Sequence, residues 1–368
     1  MNAFITKEKL LAAINIVNKA LPVRSTISIL ECVYLEANAQ TGYITLMCDD
    51  LAIGIKTRVA AEITQDGAIA MPGRLFNDII RYLPNGDIQL SFDEDLMMTI
   101  EGRGSRTKLQ GLDASQYPEM DRVEGGDVLN VPAKIFKEMA RACTIAAATD
   151  DPRVVLTGVL LEKDENILNM VALDGYKLCW MQFSTDEPGE WEAVVPAKIL
   201  QEMARVIPEK DGDVHLVATH SHVLADMGDT RVIARCIDAP FINYKQVVPQ
   251  NNPICVTINR KDFSDSIDRA SLLSREGQNT PIQLHIQDDH LVVTARAQLG
   301  DVYDEIAITK TGGELVIAFN PKLISDILKV PEEDTITLNF NTALAPCIIK
   351  PVESDHYLCL VLPVRING

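Results

Sequence analysis

One stretch of the chain, Met71-Pro72-Gly73-Arg74-Leu75-Phe76-Asn77-Asp78-Ile79-Ile80-Arg81-Tyr82-Leu83-Pro84, occurs three times. The second copy runs from Val195 through Pro196-Ala197-Lys198 to Pro208, and the third from Phe319 through Asn320-Pro321-Lys322 to Pro331. The first base of each copy, Arg74, Lys198 and Lys322, recurs every 124 residues. At the same offset follow an acid (Asp78, Glu202, Asp326) and a second base (Arg81, Arg205, Lys329). Solenoid repeats run to about 20–50 residues, so a period this long marks a repeated domain. The sequence therefore predicts three copies of one domain, at 1–124, 125–249 and 250–368.

The length agrees: 368 residues exceed one ordinary core and suit three domains. With 47% hydrophobic and 23% charged residues the chain reads as soluble and globular. No apolar run approaches the roughly 18 residues of a membrane helix. Met1-Asn2-Ala3-Phe4-Ile5-Thr6 leads straight into an amphipathic helix, without the core and cleavage site of a signal peptide. Eight cysteines, at 32, 48, 143, 179, 236, 255, 347 and 359, form no C-x-x-C pair and sit mostly in apolar runs. They read as buried free thiols, which places the chain in the cytoplasm.

Each repeat opens with a strand and a helix. Leu10, Ile14 and Val17, then Ile135, Met139 and Ala142, then Phe263, Ile267 and Ala270 keep the spacing of a helix face. Thr6 and Asn259 suit N-caps, and Pro132 suits a first helical turn. Between the two helices of each repeat the period falls to two. Val33–Ala37, Tyr43–Cys48 and Ile53–Val59 read as strands of the first repeat. Leu160–Glu162, Ile167–Val171 and Leu178–Gln182 read so in the second, and Leu284–Ile286, Leu291–Ala295 and Asp304–Ile308 in the third. Hairpins follow the second helix, as at Ile88–Phe92 with Leu96–Glu101. Polar joints at about 119–129 and 245–254 separate the repeats. The expected class is α+β, each domain two helices with about eight mostly antiparallel strands.

A net charge of −18 argues at first against a nucleic-acid partner. Its distribution argues otherwise. The six helices expected at 7–20, 73–82, 133–142, 197–206, 260–270 and 321–329 hold fifteen Lys and Arg against eight Asp and Glu. They are basic on an acidic background, with bases at matching positions of the repeat. Amphipathic helices with a solvated face account for any one of them. Six together suit a surface that attracts phosphates without reading sequence.

Catalytic motifs are missing. Gly102-Arg103-Gly104 has no third glycine and reads as a hairpin turn. His220-Ser221-His222 lacks supporting ligands and reads as a loop between strands, and Asp93-Glu94-Asp95 lacks the glycine and distal glutamate of a calcium loop. No G-x-S-x-G, H-E-x-x-H or P-loop occurs, and no cofactor or metal is expected. A hydrolase built on Asp174 with His215 or His220 would lack a convergent acid–base set.

Two stretches stand out: the turn Leu173-Asp174-Gly175-Tyr176-Lys177-Leu178, and the end, His356-Tyr357-Leu358-Cys359-Leu360-Val361-Leu362-Pro363-Val364-Arg365-Ile366-Asn367-Gly368. Chain ends are usually polar and frayed, whereas this one is apolar. Pro363 breaks any ladder, so Val364, Arg365 and Ile366 are expected on a surface.

In these residues the chain resembles the bacterial DNA polymerase III beta subunit family, the sliding clamps, over its whole length. The resemblance is carried by Arg24-Ser25-Thr26-Ile27-Ser28-Ile29-Leu30, Gly102–Arg106, Asp174–Leu178, Asp238-Ala239-Pro240-Phe241-Ile242-Asn243-Tyr244, Phe319-Asn320 and Leu362–Arg365. It implies a head-to-tail homodimer of three-domain chains, closed into a ring with helices lining the hole and sheets outside. It implies no enzyme but a processivity factor that encircles duplex DNA and tethers the replicative polymerase. An ATP-driven clamp loader opens such rings. By position, the partner-peptide pocket would comprise Leu156, Leu173, Gly175, Tyr176, Lys177, Leu178, Ile242, Val247, Val361, Leu362, Pro363, Val364, Arg365 and Ile366. It would take short apolar motifs from polymerase, loader and repair proteins. DNA contacts carried over are Arg24, Arg74 and Lys198, to which the repeat adds Lys134, Arg205 and Lys322. The ring interface would pair strand 107–110, with Thr107 and Leu109, against Leu272 and Leu273 of the other copy. Val154 and Val155 stand where the family often has aromatic residues, Thr107 where a bulky side chain is common, and Ile242 where a proline is usual. The alternative is a phage or plasmid clamp paralogue, a scaffold with a non-replicative partner.

Overall fold

The computed structural model describes residues 1–120, 123, 125–208, 212–276, 280–298, 300–353 and 355–365. It forms two compact units, Met1–Lys134 with Glu202–Cys236, and Ile135–Gln201 with Ile237–Gly368. Six α-helices occur among the described residues: α1 Lys7–Val17, α2 Gly73–Tyr82, α3 Ala133–Thr144, α4 Ala197–Val206, α5 Arg260–Glu276 and α6 Pro321–Ile327. These are the six expected.

Local chemistry sets their ends. The Thr6 side chain accepts from the Lys9 N–H at the start of α1, and Asn259 Oδ1 from the Asp262 N–H at the start of α5. Asn320 caps α6, with Pro321 in the first turn. Pro132 differs from expectation. It ends the strand Asp127–Pro132, and α3 begins at Ala133. That strand is the last of its sheet, an edge where a missing N–H is tolerated.

In the first unit a five-stranded sheet runs in the order Glu62–Gln65, Asn2–Thr6, Asp87–Ser91, Met97–Gly102, Ser105–Gln110. The hairpin turn at Arg103 and Gly104 is present, with φ of 39° and 79°. A nine-stranded sheet takes five strands from the first repeat and four from the second. Its order is Leu112–Asp113, Gly67–Pro72, Cys32–Asn38, Tyr43–Asp49, Ile53–Ala60, Thr230–Arg235, His222–Asp226, Asp213–Ala218, Asp127–Pro132. The join is the pairing of Ile53–Ala60 with Thr230–Arg235, where the buried hydroxyls of Thr57 and Thr230 meet at 2.7 Å.

The second unit repeats this device. Its ten-stranded sheet runs Gly158–Leu173, Lys177–Pro196, Tyr357–Val361, Cys347–Pro351, Thr335–Phe340, Ile254–Asn259, Gly300–Thr311, His290–Ala297, Ile282–Ile286, Leu315–Phe319. The join here pairs Lys177 with Val361 and Leu178 with Leu360. Every pairing among the described residues is antiparallel, most of them between consecutive strands, while the joins bring together strands far apart in the chain. Cores centre on the fully buried Phe76, Phe136, Phe263, Phe319 and Phe340, each burial contributing about 1.5–3 kcal/mol. Because both large sheets run across a repeat boundary, the compact units cut through the second repeat. No helix among the described residues is long and apolar enough to cross a membrane.

Candidate docking groove and basic helix faces

The Asp174 turn is organised by its own carboxylate. Oδ1 accepts the N–H groups of Tyr176 at 2.8 Å and Lys177 at 2.9 Å, while Oδ2 takes Lys177 Nζ at 2.9 Å. The two charged side chains are only 14% and 9% exposed, so each depends on the other. Gly175 adopts φ +90°, a left-handed geometry that glycine takes without strain. This turn projects Tyr176 into solvent, 65% exposed.

The same bonds occur at the first join: Asp50 Oδ1 accepts from Ala52 and Ile53 at 2.9 and 2.8 Å, with Leu51 at φ +71° in the glycine's place.

The chain end is pinned across that turn. After the strand Tyr357–Val361, the Leu362 N–H donates to Tyr176 O at 2.8 Å, and the Val364 N–H donates to Ala318 O at 2.8 Å. Pro363, lacking an N–H, ends the ladder between them. Val364 is half-buried and Arg365 exposed, which suits the surface expected for them, while Ile366 lies outside the described residues.

Beneath lies a buried cluster of Leu156, Leu160, Val171, Leu173, Leu178, Val194, Tyr244 and Leu360, with Phe241 and Leu362 packed on it. The structure therefore divides the expected pocket residues. Leu156, Leu178 and Val361 are 0%, 1% and 0% exposed and form a floor. Ile242 and Val247, exposed by 37% and 41%, stand in sequence beside the clustered Phe241 and Tyr244 and, with the exposed Tyr176, are candidates for a rim. An apolar floor with an apolar rim suits a greasy side chain held at a fixed point.

Sequence reasoning missed the aromatic support. The Tyr244 hydroxyl donates to Glu162 at 2.7 Å, and Trp180 packs edge-on against Tyr244 at 5.4 Å. Burial first, and then the Glu162 bond, push the Tyr244 hydroxyl well above its ordinary value. Arg153, beside Gly175, clasps Asp151 through two bonds of 3.0 and 3.1 Å, and these hold the Asp151 carboxyl below its usual range. The signal was available in the alternation of Leu178-Cys179-Trp180, which puts Trp180 on the same strand face as Leu178.

Arg24, Arg74, Lys134, Lys198, Arg205 and Lys322 are all exposed. Each helix buries its other face: Phe76 and Ile80 in α2, Leu200 and Met203 in α4, Ile324 and Ile327 in α6. Arg205 differs from the others because it is ion-paired to Glu202. Arg74 donates to Val23 O at 2.9 Å. Neither Arg74 nor Lys198 nor Lys322 forms an ion pair among the described residues.

Two of the strand edges left unpaired among the described residues bear on assembly. Ser105–Gln110 ends the five-stranded sheet, with Thr107 and Leu109 half-buried on one face. Residues 300–307 pair on one side only, with His290–Ala297. On α5, Leu272 is 59% exposed and Leu273 half-buried.

No group of three or more His, Cys, Asp or Glu that could hold a metal occurs among the described residues. Both Asp174 oxygens are engaged locally, and His215 contacts Asn130, so no hydrolytic set forms around them.

Models of the DNA polymerase III beta subunit match in succession: the N-terminal domain at residues 1–121, the central domain at 130–243 and the C-terminal domain at 245–365. The chain belongs to the DNA polymerase III beta subunit family. The beta sliding clamp of Staphylococcus epidermidis is 30% identical over 374 residues, covering 99% of both chains. The solved sliding clamp of Bacillus subtilis superposes with a TM-score of 0.95 at 27% identity over the whole of both chains. The clamp of Pseudomonas aeruginosa bound to griselimycin does so with a TM-score of 0.95 at 25% identity, again over both entire chains. The threefold repeat is thus the three successive domains of this family.

Proposed function

We propose that two copies of the chain close head to tail into a ring around duplex DNA and tether the replicative polymerase to it. Membership of the beta subunit family carries this reading: the chain is a replication sliding clamp, a processivity factor rather than an enzyme. The three domains are assigned to 1–124, 125–249 and 250–368, and the protein to the cytoplasm.

Arg24, Arg74, Lys134, Lys198, Arg205 and Lys322 supply the grip on DNA. Phosphate attraction without base contacts lets the ring hold and slide, since no single register is preferred. Ring closure uses the free edge Ser105–Gln110 of one copy against the free edge at 300–307 of the next, with Thr107 and Leu109 packing on Leu272 and Leu273. Unpaired N–H and C=O groups on both edges support this assignment. The groove between Tyr176, Ile242, Val247 and the tail Leu362–Arg365 docks short apolar motifs of polymerase, clamp loader and repair proteins. The griselimycin-bound relative supports ligand binding in this family.

The test is topological. Loaded onto nicked circular duplex, the protein is retained through gel filtration, and cutting the circle releases it. Equal retention on linear and circular duplex would overturn the ring. A ring that ignores replicase-derived apolar peptides would point instead to the phage or plasmid paralogue.

A further inference from the structure

A second groove on the third repeat shares Val364 and Arg365 with the docking groove and Tyr303 with the edge assigned to ring closure. It measures about 990 Å³ and is lined by Gln283, His285, Arg296 and Tyr303 on the strands, and by Val364 and Arg365 of the tail, among others. It occupies the sheet face opposite α5: Asp304, next to Tyr303 on the strand, faces the helix and takes hydrogen bonds from Ser266 and Arg269 at 2.9 Å each.

Two observations indicate what it binds. The chain carries a net charge of −18, yet no carboxylate is among the residues lining this groove, while two arginines and a histidine are. Arg296 and Arg365 are both exposed, and neither forms an ion pair among the described residues. Two acids alternate with Tyr303 on its strand: Asp301, directly across the ladder from Arg296 but not ion-paired to it, and Glu305, which accepts the Tyr303 hydroxyl at 3.3 Å. The groove is also continuous with the docking groove, because the tail serves both. Leu362 packs on the apolar cluster, and two residues on, Val364 and Arg365 line the polar groove. A peptide seated on the first and running along the tail enters the second.

We propose that this groove receives an acidic flank of the docked peptide, its carboxylates pairing with Arg296 and Arg365. This rests on the docking reading above and deepens it. Guanidinium forks suit carboxylates, but exposed pairs contribute little each, so two of them tighten binding by about fivefold. The apolar motif supplies affinity, and the arginines select among partners by charge.

Three ten-residue peptides with a Leu-Leu-Phe centre test this by fluorescence anisotropy: one with neutral flanks, one with aspartates before the centre, one with aspartates after it. One aspartate peptide is expected to bind the full-length protein about fivefold tighter than the neutral peptide at about 50 mM salt. The gain should fade at about 500 mM salt. Arg296→Glu should abolish it and Arg296→Gln reduce it, with neutral-peptide binding and melting temperature unchanged. No gain from either flank, or a gain that survives Arg296→Glu, would overturn the proposal. Failure of the neutral peptide on the unaltered protein would overturn the docking groove itself, and the proposal with it.

Discussion

At the scale of single residues, the two bases of each repeat are unequal. The second is tied to the acid three positions earlier: Arg81 to Asp78 at 2.8 Å, Arg205 to Glu202, and Lys329 to Asp326 at 2.9 Å. Three-residue spacing puts the pair on one helix face. The first base, at Arg74, Lys198 and Lys322, forms no ion pair among the described residues. Lys198→Ala and Lys322→Ala should each lower the salt slope of DNA binding by about 0.9. Arg205→Ala and Lys329→Ala should change it by less than half as much, measured by DNA affinity across a salt series. The spacing that pairs Glu202 with Arg205 was visible in the sequence, so Arg205 could have been demoted on that ground. Gly175 carries a second prediction. A side chain at φ +90° is strained, so Gly175→Ala should destabilise by about 1–2 kcal/mol in denaturant unfolding, and turning Tyr176 should weaken peptide docking. Six of the eight thiols are buried as the sequence predicts, while Cys236 and Cys255 are half-buried. Burial pushes Cys48, Cys143, Cys347 and Cys359 up, and Cys236 up to about 11. Native alkylation at neutral pH should therefore leave these five unmodified, as read by intact mass, while the urea-unfolded chain reacts fully.

At the scale of elements, helices were legible and strand lengths were not. All six helices start where a cap or a repeat predicts, because caps and a 3.6-residue apolar face are local properties. Leu160–Glu162 and Ile167–Val171 read as two strands, yet they form one, Gly158–Leu173, paired along its length with Lys177–Pro196. Between them lies the polar run Lys163-Asp164-Glu165-Asn166. It stays in the ladder through a bulge at Glu165, φ +50°, where the hairpin is exposed on both faces. At Asp164, Glu165 and Asn166 polarity marks exposure rather than a turn, while Lys163 is buried. The repeat also predicts equivalent packing. Phe76, Leu200 and Ile324 occupy one position at intervals of 124 and are 0%, 0% and 1% exposed. Replacing any of them by Ala should cost about 2–5 kcal/mol by denaturant unfolding.

For the whole molecule, a strongly acidic chain that grips DNA is consistent once its bases gather on helices, since the acidic remainder repels phosphates. Light scattering should give a solution mass of about twice 40.6 kDa. Deleting residues 362–368, or Arg365→Ala, should weaken peptide docking while leaving that mass unchanged, because the tail belongs to the groove rather than to the strand edges. Dissociation into monomers would show the tail to be misassigned. The sequence by itself determined the threefold repeat and the six helices, since each rests on periodicity within a few residues or on comparison between copies. Only tertiary structure decided that the large sheets cross the repeat boundaries. It alone decided that Leu156, Leu178 and Val361 are floor rather than contact surface, and that the tail is pinned by Tyr176 and Ala318. Those outcomes depend on strands brought together from far apart, as where Cys179 lies opposite Cys359, 180 residues later, and pairing at that distance leaves no local pattern to read.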